Sequence, residues 1–442
     1  MVQEEKKVNK NKFAKYPPMG WNSWDCYGAA VTEKELRQNA DYMAEHLKPY
    51  GWEYIICDIQ WYEPTADTSH YHNFADVCMD EYGRVIPAVN RFPSAADGKG
   101  FGPIAEYIHS KGLKFGIHIM RGIPRQAVYQ NTPVKGTEYT ARQIAHPASI
   151  CAWNTDMYGV DATKPGAQEY YDSIIELYAS WGVDFIKVDD ICVKYGRMND
   201  ESAIQYGGDE IELLHNAILH SGREIVLSLS PGPAMLDQAE HLRANANMWR
   251  ITNDLWDSWG NIMEMFGRCD GWSPYVSEGC YPDCDMLPIG HISIRGCELG
   301  LTERWTRLTK AEQRTMFSLW CIFRSPLMLG CELTDVDEWT MRLLSNEAVL
   351  GLTKHSHGAH QVLRTFDLIV WQSEGEQGEQ YVAMFNTAGW PDTFCVSFEK
   401  LGLSGSYEMT DMWTGEKEGM AEHALTAAIE THGVKLIKLE RR

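Results

Sequence analysis

The chain has 442 residues, with 40 basic and 61 acidic side chains for a formal net charge of −21, and it is 44% hydrophobic and 23% charged. That composition is ordinary for a water-soluble globular chain of two or three domains. The acidic balance excludes a sequence-independent grip on nucleic acid or an anionic membrane and suits a neutral or cationic small ligand.

The start, "MVQEEKKVNKNKFAKYPP", is polar and lacks the apolar core of a secretion signal. No later stretch reaches the ~18 uninterrupted apolar residues a membrane helix needs. The chain is expected to be soluble, with its compartment and oligomeric state left open. Residues 1–16 read as a polar extension.

Short apolar runs then alternate with longer amphipathic segments. The runs are "MGWNSW" (19–24), "EYIICDIQW" (53–61), "LKFGIHIM" (113–120), "DFIKVDD" (184–190), "EIVLSLS" (224–230), "MWRITND" (248–254), "DMLPIG" (285–290) and "SPLMLG" (325–330). Between them lie helical patterns such as 32–47, 101–112, 167–182, 209–222 and 310–323, several closed by Gly as a helix C-cap would be. Eight strand–helix units in series predict a (β/α)8 TIM barrel over 17–350. A doubly wound sheet fits less well, because no Gly-rich phosphate loop follows the first strand. From 351 to 442 the texture changes to short alternating runs such as "QYVAMFNTA" and "GVKLIKLE", which predict a separate antiparallel β-sandwich domain.

The 12 cysteines are scattered through apolar runs and read mostly as buried thiols. Cys280 and Cys284 in "GCYPDC" fit a loop disulfide or half of a metal site. A second pair with ligand spacing is missing, so neither metal nor cofactor is expected.

In a barrel, chemistry gathers at the C-terminal strand ends, and residues two apart on a strand share a face. Lys187 and Asp189 therefore fall together, with Val188 and Asp190 on the other side. The same pattern gives Asp58 with Gln60, Gly116 with His118 and Met120, Ser228 with Ser230, and Arg250 with Thr252 and Asp254. Burying such charges in an apolar core would be costly, so they are expected to line an open mouth. His118 fits either a pocket histidine without acid–base work or a participant. Asp190 and Asp257 read as support residues or helix caps. Trp24 and Trp256 stand beside these strands, while Trp21, Trp61 and Trp249 read as core packing. Aromatic planes beside carboxylates and hydroxyl-seeking Lys, Arg and Ser point to a carbohydrate pocket.

These motifs resemble glycoside hydrolase family 27, the family of α-galactosidases and α-N-acetylgalactosaminidases. The likeness runs through "PPMGWNSW", "NRFPSAADGKGFGPIAEYIHSKGLKFGIH", "SWGVDFIKVDD", "MWRITNDLWDSW", "DCDMLPIG" and "LTKAEQRTMFSLWCIFRSPLMLG", and on into the tail. It implies a retaining exo-glycosidase with Asp189 as nucleophile and Asp254 as general acid/base, in which Lys187 favours ionised Asp189. It also implies that Asp58, Lys187, Arg250 and Asp285 bind sugar hydroxyls and that Trp24 walls the ring.

Three positions depart from the α-galactosidase pattern. The second strand ends Asp58-Ile59-Gln60-Trp61 where adjacent aspartates are expected, which removes a carboxylate from the O4/O6 edge. His118 replaces a tyrosine. Ser230 replaces the glutamate that contacts O2, a change that α-N-acetylgalactosaminidases use to make room. The substrate is thus expected to be a terminal galacto-configured sugar: galactose, N-acetylgalactosamine or β-L-arabinopyranose. A catalytically silent sugar-binding barrel is the remote alternative, opposed by the presence of both aspartates.

Overall fold

The computed structural model describes residues 9–195, 204–296 and 302–442. Eight parallel strands make the barrel: β1 (Met19–Asn22), β2 (Tyr54–Cys57), β3 (Lys114–Met120), β4 (Phe185–Asp189), β5 (Val226–Leu229), β6 (Met248–Arg250), β7 (Tyr281–Asp283) and β8 (Leu327–Leu329). Their order is β7-β6-β5-β4-β3-β2-β1-β8. A parallel bridge between Leu287 and Leu329 joins the two ends.

Among the helices are α1 (Glu33–Tyr42), α2 (Gly102–Ser110), α3 (Ala167–Ser180), α4 (Gly208–Ser221), α5 (Trp259–Trp272) and α6 (Lys310–Phe323). Local sequence sets their ends. Thr32 with Glu35 and Thr309 with Glu312 form capping boxes that satisfy free N–H groups at the starts of α1 and α6. Gly182, at φ +89°, turns the chain from α3 toward β4 at an angle that costs a residue with a Cβ.

Tyr54, Ile56, Phe185, Val226, Met248, Tyr281 and Met328 form a compact apolar cluster within the barrel. Phe13 and Ala14, from the turn Lys10–Ala14, pack against it. The Lys10 ammonium donates to the Ala246 carbonyl at 2.6 Å, and Asn247 donates back to the Lys10 carbonyl at 3.1 Å. Residues 10–14, read from sequence as part of a polar extension, are therefore the floor of the barrel. An apolar Phe-Ala pair inside the polar stretch is what lets them seat.

The strands are shorter than the apolar runs suggest. The seventh lies at Tyr281–Asp283 and not at 285–290, because Asp285 adopts φ +76° and ends the extended backbone. β2 stops at Cys57 and β6 at Arg250, so strand alternation governs neither Gln60 nor Asp254.

The C-terminal chain forms β9 (Ser356–Arg364), β10 (Leu368–Gly375), β11 (Gln380–Asn386), β12 (Asp392–Ser397), β13 (Tyr407–Asp411), β14 (Lys417–Ala421), β15 (Ala424–Ile429) and β16 (Val434–Arg441). Six of them pair in the order β9-β10-β11-β16-β13-β14, and β12 pairs with β15 in a second sheet. Val370, Val382, Met384 and Leu439 of the first sheet meet Val396, Leu425 and Ile429 of the second, so the domain is a sandwich. The opposite face of the large sheet offers Ile369, Trp371, Ala383, Phe385 and Leu436 to the main core that includes α6. Burial on both faces explains why "LIVW" runs apolar without alternation. The same junction explains why α6 is buried nearly all round.

Candidate active site

Asp189 ends β4, and β3 and β4 are paired in register with His118 opposite Lys187 and Met120 opposite Asp189. His118, Lys187 and Asp189 thus share a face at the mouth. The His118 Nε2 lies 3.2 Å from Asp189 Oδ2, and its Nδ1 lies 2.5 Å from Asp58 Oδ1. The other Asp58 oxygen accepts from the Asn22 amide at 2.8 Å and faces the Lys187 ammonium at 3.4 Å. The short partner of Lys187 is therefore Asp58, with Asp189 close enough only to act through its field.

Burial alone would raise the Asp189 carboxyl, but His118 and Lys187 overcome it and hold the group below the usual carboxylate range. Asp58 follows the same logic more strongly: burial opposes ionisation, and His118 and Lys187 outweigh it. Both carboxylates are built to be anionic. Burial would also strip the Lys187 proton, yet Asp58 and Asp189 raise that group above its ordinary value.

Across the mouth, Arg250 at the end of β6 donates to Asp254 Oδ1 at 2.6 Å and faces Asp285 Oδ1 at 3.3 Å. Despite burial, Asp285 and Asp254 raise the guanidinium further above its usual value. The other Asp285 oxygen accepts the Leu255 N–H at 2.8 Å, fixing the loop that carries Asp254. The Asp254 side chain is 64% exposed and that of Asp189 only 12%, so one carboxylate meets solvent and the other sits recessed. A recessed anion and an exposed carboxyl, both within the field of Arg250, are the two kinds of carboxyl that attack on a ring carbon and proton exchange with a leaving group call for.

The chain has counterparts among known proteins. Residues 155–355 match the family model "Alpha galactosidase A", and residues 365–439 match "Alpha galactosidase C-terminal beta sandwich domain". The α-galactosidase of Coffea arabica is 28% identical, over 96% of this chain and 93% of its own. Two solved structures are nearer in sequence. A β-L-arabinopyranosidase of family GH27 from Geobacillus stearothermophilus, in complex with arabinose, is 54% identical with TM-score 0.96, covering 99% of this chain and 100% of that one. A candidate α-N-acetylgalactosaminidase from Bacillus halodurans is 50% identical with TM-score 0.87, covering 96% of this chain and 97% of that one.

The chain belongs to glycoside hydrolase family 27. It is a glycoside hydrolase of the α-galactosidase type.

Within this family 27 barrel, the remaining residues singled out from sequence fall into two groups. Trp24 stands half-buried at the mouth, packed on the barrel cluster and stacked on Tyr71 with ring centroids 5.7 Å apart. Lys187, Arg250 and Asp285 join the cluster around Asp189 and Asp254. Asp58 stands behind it, closed off from solvent and holding His118 and Lys187. Ile59 is also fully buried, and its N–H donates to Asp58 Oδ1 at 3.0 Å.

Two residues are placed elsewhere. Gln60 does not share the Asp58 face; its amide donates to Asp156 at 2.6 Å, because the strand has already ended. Ser230 is wholly buried and its hydroxyl has no partner. Trp21, Trp61 and Trp249 are fully buried.

Asp190 pairs with Arg121 at 2.8 Å, and Arg121 also reaches Glu210 at 2.9 Å. Asp257 is clamped by Arg304 and Arg307, while Ser258 caps α5. Both aspartates are structural ion-pair centres and not caps. The Cys284 sulfur lies 3.4 Å from that of Cys269, and Cys280 sits beside Lys10, so Cys280 and Cys284 do not pair.

Sequence reasoning passed over Asn22 and Ser23, inside the quoted "PPMGWNSW", and Asp25 directly after it. Asn22 and Ser23 bond to Asp58. Asp25 is buried with one oxygen unpartnered, and burial followed by the nearby Asp285 raises it well above a normal carboxyl. Asn in the second half of a four-residue strand was the available signal.

Proposed function

We propose that this family 27 enzyme is a retaining, exo-acting β-L-arabinopyranosidase. The observation that carries the sugar assignment is Ile59. A hydrocarbon side chain follows Asp58 where the α-galactosidase pattern has a second aspartate for the O4/O6 edge, and β-L-arabinopyranose is α-D-galactose without C6. An apolar neighbour suits a ring with a bare C5 and leaves an extra hydroxymethyl group without a partner. The 54% identity to a protein described as a β-L-arabinopyranosidase supports the same reading.

In the first step Asp189 attacks the anomeric carbon while Asp254 protonates the departing oxygen. In the second, Asp254 takes a proton from water as the water displaces Asp189. Lys187, Arg250 and Asp285 bind ring hydroxyls, and Trp24 covers the apolar face of the sugar.

N-acetylgalactosamine is the competing substrate, suggested by the small side chain at Ser230. Ser230 is closed off from solvent, and its carbonyl accepts the N–H groups of Ile191 and Cys192 at 3.1 and 3.2 Å. That packing argues against an acetamido chamber there.

Aryl β-L-arabinopyranoside, α-galactoside and α-N-acetylgalactosaminide assayed side by side decide the matter. The expected kcat/KM is highest on the arabinopyranoside by about tenfold or more, and Ile59→Asp moves the ratio toward the galactoside. A higher kcat/KM on either hexoside overturns the sugar assignment.

A further inference from the structure

His118 links the recessed carboxylate at Asp189 to a second buried carboxylate, Asp58. Its two ring nitrogens lie 2.5 Å from Asp58 Oδ1 and 3.2 Å from Asp189 Oδ2. The ring is 2% exposed, so no sugar hydroxyl can displace either neighbour without moving it. The contact to Asp58 is a short hydrogen bond. That to Asp189 is an ion-pair contact whose N–H direction misses the oxygen, leaving Nε2 without a formal partner.

An imidazole with a carboxylate oxygen at each nitrogen meets both favourably only when both nitrogens carry hydrogen. Asp58 is held in place to make this possible. Asn22 and Lys187 grip its other oxygen, and its backbone N–H donates to Ser23 at 3.0 Å. Lys187 adds a second positive charge near both carboxylates. The α-galactosidase pattern has a neutral tyrosine at this strand position, so the histidine adds a charge that a phenol cannot.

We infer that His118 is a positioning residue of the nucleophile: as an imidazolium oriented by Asp58, it makes Asp189 a better leaving group when the glycosyl-enzyme is hydrolysed. This rests on the assignment of Asp189 as nucleophile. In that step water adds to the anomeric carbon and gives its proton to Asp254. The bond from that carbon to the Asp189 oxygen breaks, and its electron pair returns to the carboxylate. The imidazolium, already 3.2 Å from that carboxylate before the charge arrives, stabilises it through its field. The same stabilisation makes Asp189 a somewhat weaker attacker in the first step, so the benefit falls on the second.

The test is steady-state and burst kinetics of His118→Gln on an aryl β-L-arabinopyranoside with a good leaving group. Intact-protein mass is read during turnover. Loss of the imidazolium slows the second step, so kcat is expected to fall on the order of ten- to hundredfold. KM falls with it, kcat/KM changes by less than about threefold, and one equivalent of leaving group appears as a burst.

A pentosyl adduct accumulates on the peptide that carries Asp189. His118→Tyr, which places the α-galactosidase residue at the site, is expected to show the same burst and adduct, and it keeps the test open if the glutamine variant does not fold. A raised KM with lowered kcat/KM, no burst and no adduct in a folded variant overturns the inference and makes His118 a plain sugar ligand. Turnover retained in Asp189→Asn overturns the nucleophile assignment itself, and the two failures are read from different proteins.

Discussion

The two ends of one barrel carry nearly the same kinds of charged residue and use them differently. At the floor, Asp184 accepts from Arg223 at 2.5 Å, from the Phe115 N–H at 2.9 Å, and faces His109 at 2.7 Å. Lys114 pairs with Glu53 at 3.0 Å, and Arg223 donates to the carbonyls of Val183 and Gly182. A cavity of about 250 Å³ lies here, lined by Phe13, Tyr54, Lys114, Asp184 and Arg223 among others. Each of these charges has its partners.

At the mouth, one oxygen of Asp25 is buried and unpartnered, and the carboxyl groups of Asp25, Asp58, Asp189, Asp254 and Asp285 outnumber the cations Lys187 and Arg250 beside them. Paired charges hold an edge of the fold together, whereas surplus charge and open hydrogen-bonding capacity mark where a ligand completes the set. A pocket is therefore not recognised by size alone. The floor cavity sits where the charges are already paired.

The contrast predicts opposite outcomes for matched substitutions. Asp189→Asn at the mouth is expected to cut kcat by on the order of 10⁴ or more with little change in thermal midpoint. Asp184→Asn at the floor is expected to lower stability by about 1–3 kcal/mol, with kcat per folded molecule unchanged. Activity and melting measured on the two proteins together check both arms.

Next in size is Asp254→Asn. The loss is expected to be about 10²–10⁴-fold on substrates whose leaving oxygen needs a proton, and much smaller for the first step with an activated aryl leaving group. A leaving-group series on wild type and variant reads this directly.

Lys187→Met is expected to raise KM and lower kcat/KM by roughly 10²-fold. Its ammonium both touches the mouth and keeps Asp58 anionic.

The smallest effect concerns Asp283. Burial, then its neighbour Asp285, push this carboxyl up to about 7, against Arg250. A folded-state value above the unfolded one of 3.8 means that the stability is fully present below that value, declines as pH rises and is lost once pH passes about 7. Asp283→Asn removes the group that must ionise. It is expected to raise the melting temperature by a few degrees at pH 8 and by less at pH 5, relative to wild type, as thermal scans at the two pH values would show.

Much of this was legible in the sequence for specific reasons. Eight apolar runs separated by helical patterns gave the barrel, and the i, i+2 rule placed Lys187 with Asp189, because β4 is extended through both residues. The rule failed where strands ended early. Gln60 lies past the end of β2 and turns to Asp156, and the run 285–290 leaves the sheet at Asp285. Residues 10–14 were misread because the average polarity of a segment hides two apolar side chains that seat as a plug.

Long-range partners were out of reach altogether. No spacing in the sequence says that Asp58 and His118, or Arg121 and Glu210, will meet. In the C-terminal domain, β14 is exposed along four of its five residues and shows no apolar alternation to announce it.

The measurement that bears most directly on the account is peptide mapping of the enzyme quenched during turnover of an aryl β-L-arabinopyranoside. The account predicts a pentosyl ester on Asp189, absent from Asp189→Asn. An adduct on any other residue, or full turnover by Asp189→Asn, would contradict it.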